Sequence, residues 1–362
     1  MASQQEIDTH WMRQAVELAR LGAGSVSPNP LVGCVIARGT ELLGQGYHEF
    51  YGGKHAEINA LDACRGKDLT NATLYVTLEP CAHHGKQPPC CDAVAGAALS
   101  RVCIGVIDPH PAVAGRGLKA LQRAGKEVVL GTEQESCRWL ARYFLHSVNS
   151  GLPYIIGKVA TSQDNKISRA SKDDGWITCE ESRRNVHLLR SELDAVMVGI
   201  GTVIEDDPML DVRLSSGRNP ARVIIDPSCR LSAGSRIAST MNTQRTIIVV
   251  NKRTASPLAM EQMLKLGGEI VELDAEGSSL PAVAIAKALH DRGIQSILLE
   301  GGPVTLDNFM HAKLVQEVHI HKAPYVIGFG REWTFHLDST EWQLYSIQHC
   351  GTDIHSLYRR SG

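Results

Sequence analysis

The sequence predicts an α/β protein built from two domains. Three observations carry that prediction. The chain has 362 residues, more than one ordinary hydrophobic core holds together, so it divides. Apolar positions alternate along it between helical spacing and short β-rich runs, the pattern of strands joined by crossover helices. No apolar run is long enough to span a bilayer, and 43% hydrophobic with 21% charged residues is the balance of a water-soluble globular chain.

Taken in order, Trp11, Met12, Ala15, Leu18, Ala19 and Leu21 fall at helical spacing and predict a helix from Asp8 to Leu21. Gly22 and Gly24 end it. The chain turns through Ser27-Pro28-Asn29-Pro30 into strands at Val32–Ile36 and Glu41–Tyr47. A helix opening at His55 runs through Ile58, Leu61 and Cys64, and a strand from Thr73 to Leu78 ends at Glu79-Pro80-Cys81. Cys90-Cys91-Asp92 opens another helix. A strand from Arg101 to Ile107 leads into a Pro/Gly-rich loop from Asp108 to Gly117, and a helix from Leu118 closes at Gly125. A helix ending in Arg142-Tyr143-Phe144 precedes a boundary in 147–153, so the domains are expected over 1–148 and 149–362.

The second half reads the same way. Strands are expected at Tyr154–Val159, Ala195–Val198, Val223–Ile225, Thr246–Val250 and Ser296–Leu299, with helices through Val186, Leu188 and Leu189 and near Pro281 to Leu289. A mostly parallel sheet with crossover helices follows, and no internal repeat is evident.

The chemistry concentrates between Gly53 and Cys91. His55-Ala56-Glu57 is followed by Pro80-Cys81 and Pro89-Cys90, which supplies an imidazole, two thiols and a carboxylate that is not a ligand. Three protein ligands leave the fourth position of a tetrahedral Zn²⁺ open to water, whose pKa the metal lowers. Glu57 is placed to take that proton and hand it to a leaving amine. A helix N-terminus at His55 favours negative charge there. Taken singly, a cysteine or histidine is more often a residue without a metal; the joint pattern carries the assignment. His83, His84 and Cys91 are pocket or alternative groups, and Cys90 ranks above Cys91 because it directly follows Pro-Pro.

Nucleobase deaminases use H-x-E followed by P-C-x-x-C, whereas here Cys90 lies nine residues after Cys81. With that long loop, HAE…EPCxHxGxxPPC resembles the deaminase half of the bifunctional riboflavin-biosynthesis deaminase/reductases. The resemblance implies a cytidine-deaminase-like α/β/α sandwich acting on a phosphorylated diamino-pyrimidinone, with Asn29 and the DPxPxVxGxG loop as substrate contacts. It extends through Trp176-Ile177-Thr178, Arg190, Thr202, the run from Asp206 to Arg213, Pro220 to Asp226, and Glu300-Gly301-Gly302-Pro303. That half is then implied to be a dihydrofolate-reductase-like α/β domain using NADPH. Ala160, Trp176, Thr202, Asp206, Gly302, Pro303, Val304, Thr305, Leu306, Asp307 and Asn308 would contact the nucleotide. Asp174, Arg190, Leu210, Arg213 and Glu300 would contact substrate, the two arginines through its phosphate. By themselves, the glycines after the strands at Val196 and Leu298 read equally well as turns, since neither is G-x-G-x-x-G.

Two positions depart from the family's pattern. Ser162-Gln163-Asp164-Asn165-Lys166 stands where the family has Ser-Leu-Asp-Gly-Lys; asparagine tolerates positive φ, so the turn is expected to survive. Asp174 stands where the family has serine and brings a negative charge toward an anionic substrate.

A net charge of −2 argues against a nucleic-acid partner, as do 5% aromatics, too few for base stacking. The N-terminus has early acids and no apolar stretch, so it is not a secretory signal. The ten cysteines are therefore expected reduced in a cytoplasm, and those outside the metal motif to be mostly small buried hydrophobes. No membrane partner is expected, and the expected assembly is a homo-oligomer. Besides the two-step enzyme, the sequence leaves two readings: a deaminase whose second half only holds substrate or dimerises, and a nucleic-acid base deaminase, disfavoured by the charge and the Cys81–Cys90 spacing.

Overall fold

The computed structural model describes residues 2–82, 89–110, 113–168, 175–277 and 279–361. His83, His84 and Asp174 lie outside them. By internal contacts the chain divides into Met1–Gly151 and Leu152–Gly362.

The first unit contains α1 (Gln4–Arg20), β1 (Gly33–Arg38), β2 (Glu41–Tyr47), α2 (Ala56–Asp62), β3 (Thr73–Leu78), α3 (Cys90–Gly96), β4 (Arg101–Val106), α4 (Arg116–Arg123), β5 (Glu127–Leu130), α5 (Gln134–Leu140) and α6 (Arg142–Ser150). Its sheet order is β2-β1-β3-β4-β5, antiparallel between β1 and both neighbours and parallel from β3 to β5. Strand side chains alternate between faces. Cys34, Ile36, Leu74, Val76, Val102 and Ile104 therefore pack with Ala56 and Ala60 of α2, Val94 of α3 and Leu121 of α4. Val35, Ala37, Tyr75 and Cys103 pack with Trp11, Met12 and Ala15 of α1 and Cys137 and Leu140 of α5. The result is helices on both faces of one sheet.

α1 begins at Gln4, earlier than its apolar spacing implied, because Ser3 and Glu6 form a capping box. Asp8 fixes it to the sheet by accepting from Arg101 Nη1 and Nη2 at 2.7 and 2.8 Å and from Tyr75 at 3.0 Å. Two helix ends differ from expectation. α2 stops at Asp62, so Cys64 lies in the following turn. Arg142 begins α6, which continues to Ser150 through the expected boundary, instead of ending a helix.

The second unit contains β6 (Tyr154–Thr161), α7 (Glu180–Glu192), β7 (Ala195–Gly199), α8 (Ile200–Asp206), β8 (Ala221–Ile225), β9 (Thr246–Asn251), α9 (Pro257–Lys265), β10 (Glu269–Leu273), α10 (Ala282–His290), β11 (Ser296–Leu299), α11 (Pro303–His311), β12 (Val315–Lys322), β13 (Trp342–Cys350) and β14 (Asp353–Arg360). Nine strands run in the order β10-β9-β8-β7-β11-β6-β12-β14-β13. All pairs are parallel except β12/β14 and β14/β13. Ile155, Met197, Val223, Ile247 and Leu299 face α10 and α11. Val196, Val198, Ile224 and Ile248 face a second cluster with α8 and α9. Periodicity did not reveal β10, β12 or the antiparallel C-terminal hairpin; in β13 six of the nine residues are exposed, so no apolar face marks it.

Candidate active sites

In the first unit, three elements converge at the carboxyl end of β3. His55 is the N-cap of α2, Cys81 follows β3, and Cys90 opens α3. One donor atom from each lies within 4.8 Å of the others. His55 Nδ1 is 3.2 Å from Cys90 Sγ and 3.6 Å from Cys81 Sγ, and the Cys90 backbone N–H donates to Cys81 Sγ at 3.3 Å. Cys91 turns away, its thiol facing Asp92 at 3.5 Å. Hydrogen bonding from the Cys90 thiol, opposed by burial and helped by His55, holds Cys81 down to about 4. Cys90 moves the opposite way, pushed up by sharing that bond with Cys81 and by burial. One imidazole nitrogen and two sulfurs gathered at one point are the donor set of a hydrolytic zinc site.

Glu57 lies in the first turn of α2 and is 3% exposed. Its Oε2 meets no hydrogen-bond partner among the described residues. Burial, partly offset by the charge of His55, pushes its carboxyl up to about 7. A carboxyl poised there can hold or release a proton near neutral pH.

Sequence reasoning missed two residues here. His48 is buried, donates through Nδ1 to the Lys54 carbonyl at 3.0 Å, and so receives the Asn29 amide on Nε2 at 3.0 Å. Its ring stands edge-on to His55 with centroids 5.3 Å apart. Glu79 is buried and accepts three backbone N–H groups from beyond β4. Those partners lie 29 to 39 residues away, beyond the reach of local pattern.

In the second unit, the structure brings together Arg190 with Glu300 and Thr202 with Gly302, where β7 and β11 end. Arg190 of α7 grips Glu300, just after β11, through Nε–Oε1 at 2.5 Å and Nη2–Oε2 at 2.9 Å, and donates through Nη1 to the Asp211 carbonyl at 2.9 Å. Lys158 of β6 approaches Glu300 at 3.8 Å. Burial would raise Glu300, but Arg190 and Lys158 outweigh it and hold the carboxylate low. Arg213 pairs with Asp211. Its backbone N–H donates to His187 Nδ1 at 3.2 Å, and burial, with Arg190 and Arg213 nearby, pushes His187 down to about 4.

Gly302 is the N-cap of α11 and donates to Thr202 Oγ1 at 3.2 Å. A Cβ on Gly199 would lie 2.6 Å from Thr305 Oγ1, and one on Gly301 2.9 Å from Thr305 Cβ, so both glycines let α11 start against the ends of β7 and β11. Pro303 follows the cap at N1. Val304 and Asn308 are exposed, and Asp307 has a buried Oδ1 with no partner among the described residues. Leu306 is buried in the core. Ala160 lies half-buried on β6 opposite His321, Trp176 is exposed beneath Arg183, Asp206 ends α8 in solvent, and Leu210 is buried at positive φ. Among the remaining cysteines, Cys34, Cys64, Cys103, Cys137 and Cys229 are buried as expected, but Cys179 and Cys350 are only half-buried.

The expected turn at Asn165 is present. Its φ is 59°, and Asn165 N–H donates to the Ser162 carbonyl at 3.1 Å.

No helix among the described residues is long and apolar enough to cross a membrane. Residues 5–106 match the cytidine and deoxycytidylate deaminase zinc-binding region, and residues 153–356 match the RibD C-terminal domain. The chain is 39% identical to the riboflavin biosynthesis protein RibD of Actinobacillus pleuropneumoniae, covering 96% of this chain and 94% of that protein. It is 34% identical to RibD of Escherichia coli, covering 96% and 98%. A crystal structure from Thermotoga maritima, a diaminohydroxyphosphoribosylaminopyrimidine deaminase and 5-amino-6-(5-phosphoribosylamino)uracil reductase, aligns with TM-score 0.87 at 31% identity, covering 99% of this chain and all of that one. RibD of Acinetobacter baumannii aligns with the same TM-score at 33% identity, covering 99% and 100%. The first unit thus has the cytidine-deaminase-like fold and the second the dihydrofolate-reductase-like fold, and the chain belongs to the RibD family of riboflavin-biosynthesis enzymes, which join a zinc-dependent deaminase to an NADPH-dependent reductase.

Proposed function

We propose that the first unit hydrolytically deaminates a 2,5-diamino-6-ribosylamino-pyrimidinone 5′-phosphate, and that the second reduces the ribosyl chain of the product to ribityl. The observation that carries the first step is the buried Glu57 Oε2, without a hydrogen-bond partner among the described residues, in the first turn of the helix that His55 caps, beside the cluster of His55, Cys81 and Cys90 donors. Those three residues would hold zinc, which supplies Lewis acidity at the open position when bound. Glu57 takes one proton of the attacking water on Oε2 and delivers it to the ring nitrogen, then carries the second, from the added hydroxyl, to the leaving amine, so ammonia departs neutral. Asn29, oriented by His48, faces the substrate with its remaining amide atoms.

For the second step, the N-terminus of α11 at Gly302, with Thr202 and Thr305 beside it, supports a nucleotide phosphate site: its N-cap glycine has no side chain to cap the helix, and the Gly302 N–H is held by the Thr202 hydroxyl. NADPH supplies the hydride when bound. Ala160, Trp176, Asp206, Pro303, Val304, Asp307 and Asn308 complete the proposed nucleotide site, whereas the Leu306 side chain is taken up by the core. Leu210, Arg213 and Glu300 would contact substrate, with Asp174 as a further candidate. Both arginines are already paired, Arg190 with Glu300 in the interior and Arg213 with Asp211 at the surface, so Arg213 is the one that can exchange its partner for a phosphate. A homo-oligomer working in the cytoplasm fits this reading.

The test is Glu57→Gln. Zinc content should stay at that of wild type while ammonia release falls by about 10²–10⁴-fold; retained turnover would remove Glu57 as the proton carrier.

A further inference from the structure

Glu79 sits between β3 and Cys81 and is 3% exposed. Its carboxylate is fully used. Oε2 accepts from the backbone N–H of Asp108 at 3.3 Å and of Gly115 at 3.0 Å, and Oε1 accepts from Leu118 N–H at 3.0 Å. The first partner follows β4, and the other two open α4. That helix begins at Gly115, which has φ 73° and no side chain with which to cap. Glu79 therefore caps α4 from another element, where a carboxylate also meets the positive end of the helix.

The glycines of the DPxPxVxGxG stretch follow from the same contact. Gly115 supplies the left-handed turn that aims its N–H at Glu79. A Cβ on Gly117 would lie 2.2 Å from the Pro80 carbonyl oxygen and 3.2 Å from Glu79 Cγ, so only glycine lets α4 start this close. Glu79-Pro80-Cys81 is thus one short segment with two duties. Cys81 presents its sulfur to His55 and Cys90, while Glu79 and Pro80 hold Asp108 and the first turn of α4.

We propose that Glu79 is a positioning residue of the deaminase: it fixes the Asp108–His110 segment and the start of α4 relative to the Cys81 thiolate, and so sets how substrate is held against the metal ligands. This rests on the deaminase reading above. His110 N–H donates to Asp108 Oδ1 at 2.8 Å, so the segment that Glu79 holds is itself ordered as a turn. A carboxylate with three N–H donors has no substitute among neutral side chains of its size. In Glu79→Gln the amide nitrogen cannot accept, and the bonds on one side are lost.

The experiment uses the full-length, zinc-loaded chain. Glu79→Gln and Gly117→Ala are compared with wild type for zinc content, KM and kcat of ammonia release from the diamino-pyrimidinone phosphate, NADPH oxidation by the second unit, and amide hydrogen exchange of Asp108, Gly115 and Leu118. Both variants should keep wild-type zinc and NADPH oxidation, raise KM about tenfold or more with kcat nearly unchanged, and speed exchange of the three amides. Loss of zinc, a fall in kcat at constant KM, or wild-type exchange of those amides would each overturn the proposal. Should wild type release no ammonia, the deaminase reading falls, while amide exchange still decides whether Glu79 holds this segment. If Glu79→Gln fails to fold, Gly117→Ala strains the same junction and decides the question.

Discussion

Arg190 and Glu300, 110 residues apart, meet through two hydrogen bonds of 2.5 and 2.9 Å in the buried interior of the second unit. The guanidinium that sequence reasoning assigned to a substrate phosphate is therefore already matched by a carboxylate. A buried pair of this kind fixes geometry more than it adds stability, but losing one partner strands the other.

Arg190→Ala should therefore destabilise the second unit by about 3–5 kcal/mol. The double change Arg190→Ala with Glu300→Ala should cost less than the sum of the two single changes, because no charge is left uncompensated. Denaturant unfolding of the three variants measures this. Additive costs would mean that the two side chains are not coupled.

Histidines buried as neutral groups give the second unit a sign-defined pH dependence. Burial pushes His321 down to about 2 and His355 down to about 4. His355 is built into a chain that runs from Gln348 through His355 and His319 to Glu317 and Tyr154, with contacts of 3.1, 3.1, 3.2 and 2.5 Å. His321 stacks on His355 at 4.4 Å. Unfolded histidine titrates near ~6.5, so below that pH the unfolded chain binds protons that the folded one refuses. Stability is thus fully present above about pH 7 and declines as pH falls toward 4, by about 1.4 kcal/mol per pH unit for each such histidine. His355→Gln should flatten the profile; an unchanged slope between pH 6.5 and 5 would contradict it.

Asn165 occupies the left-handed region at φ 59° and also accepts from Lys322 Nζ at 3.0 Å. Asn165→Gly should change thermal stability by only a few tenths of a kcal/mol, whereas Asn165→Val should cost about 1–2 kcal/mol. Equal melting temperatures for the two variants would show that the turn does not depend on this backbone conformation.

Removing the metal should separate the two steps. Chelation should abolish ammonia release and leave NADPH oxidation intact, and Cys81→Ser should lower zinc content by elemental analysis. Wild-type zinc in Cys81→Ser would remove Cys81 from the ligand set.

Where local pattern and tertiary role coincide, the sequence was legible. β2, β3 and β11 run over the expected residues because their apolar content and flanking breakers mark both ends. The cluster of His55, Cys81 and Cys90 was visible because a zinc donor set calls for residue types that packing does not. The early start of α1 was readable from the Ser3 and Glu6 capping box but masked by the polar residues between them. β13 was hidden by its exposure on an edge, and the partners of Glu79, Arg190 and Asn29 were hidden because each is fixed by contacts far along the chain.

The central claim is that one chain performs both steps. The most direct measurement gives the purified protein NADPH and the already deaminated ribosylamino-pyrimidinedione phosphate and follows the nicotinamide absorbance. Oxidation of NADPH at a rate that depends on this substrate is the predicted result. No oxidation, with zinc-dependent ammonia release from the diamino precursor intact, would contradict it and leave a deaminase joined to a silent second domain.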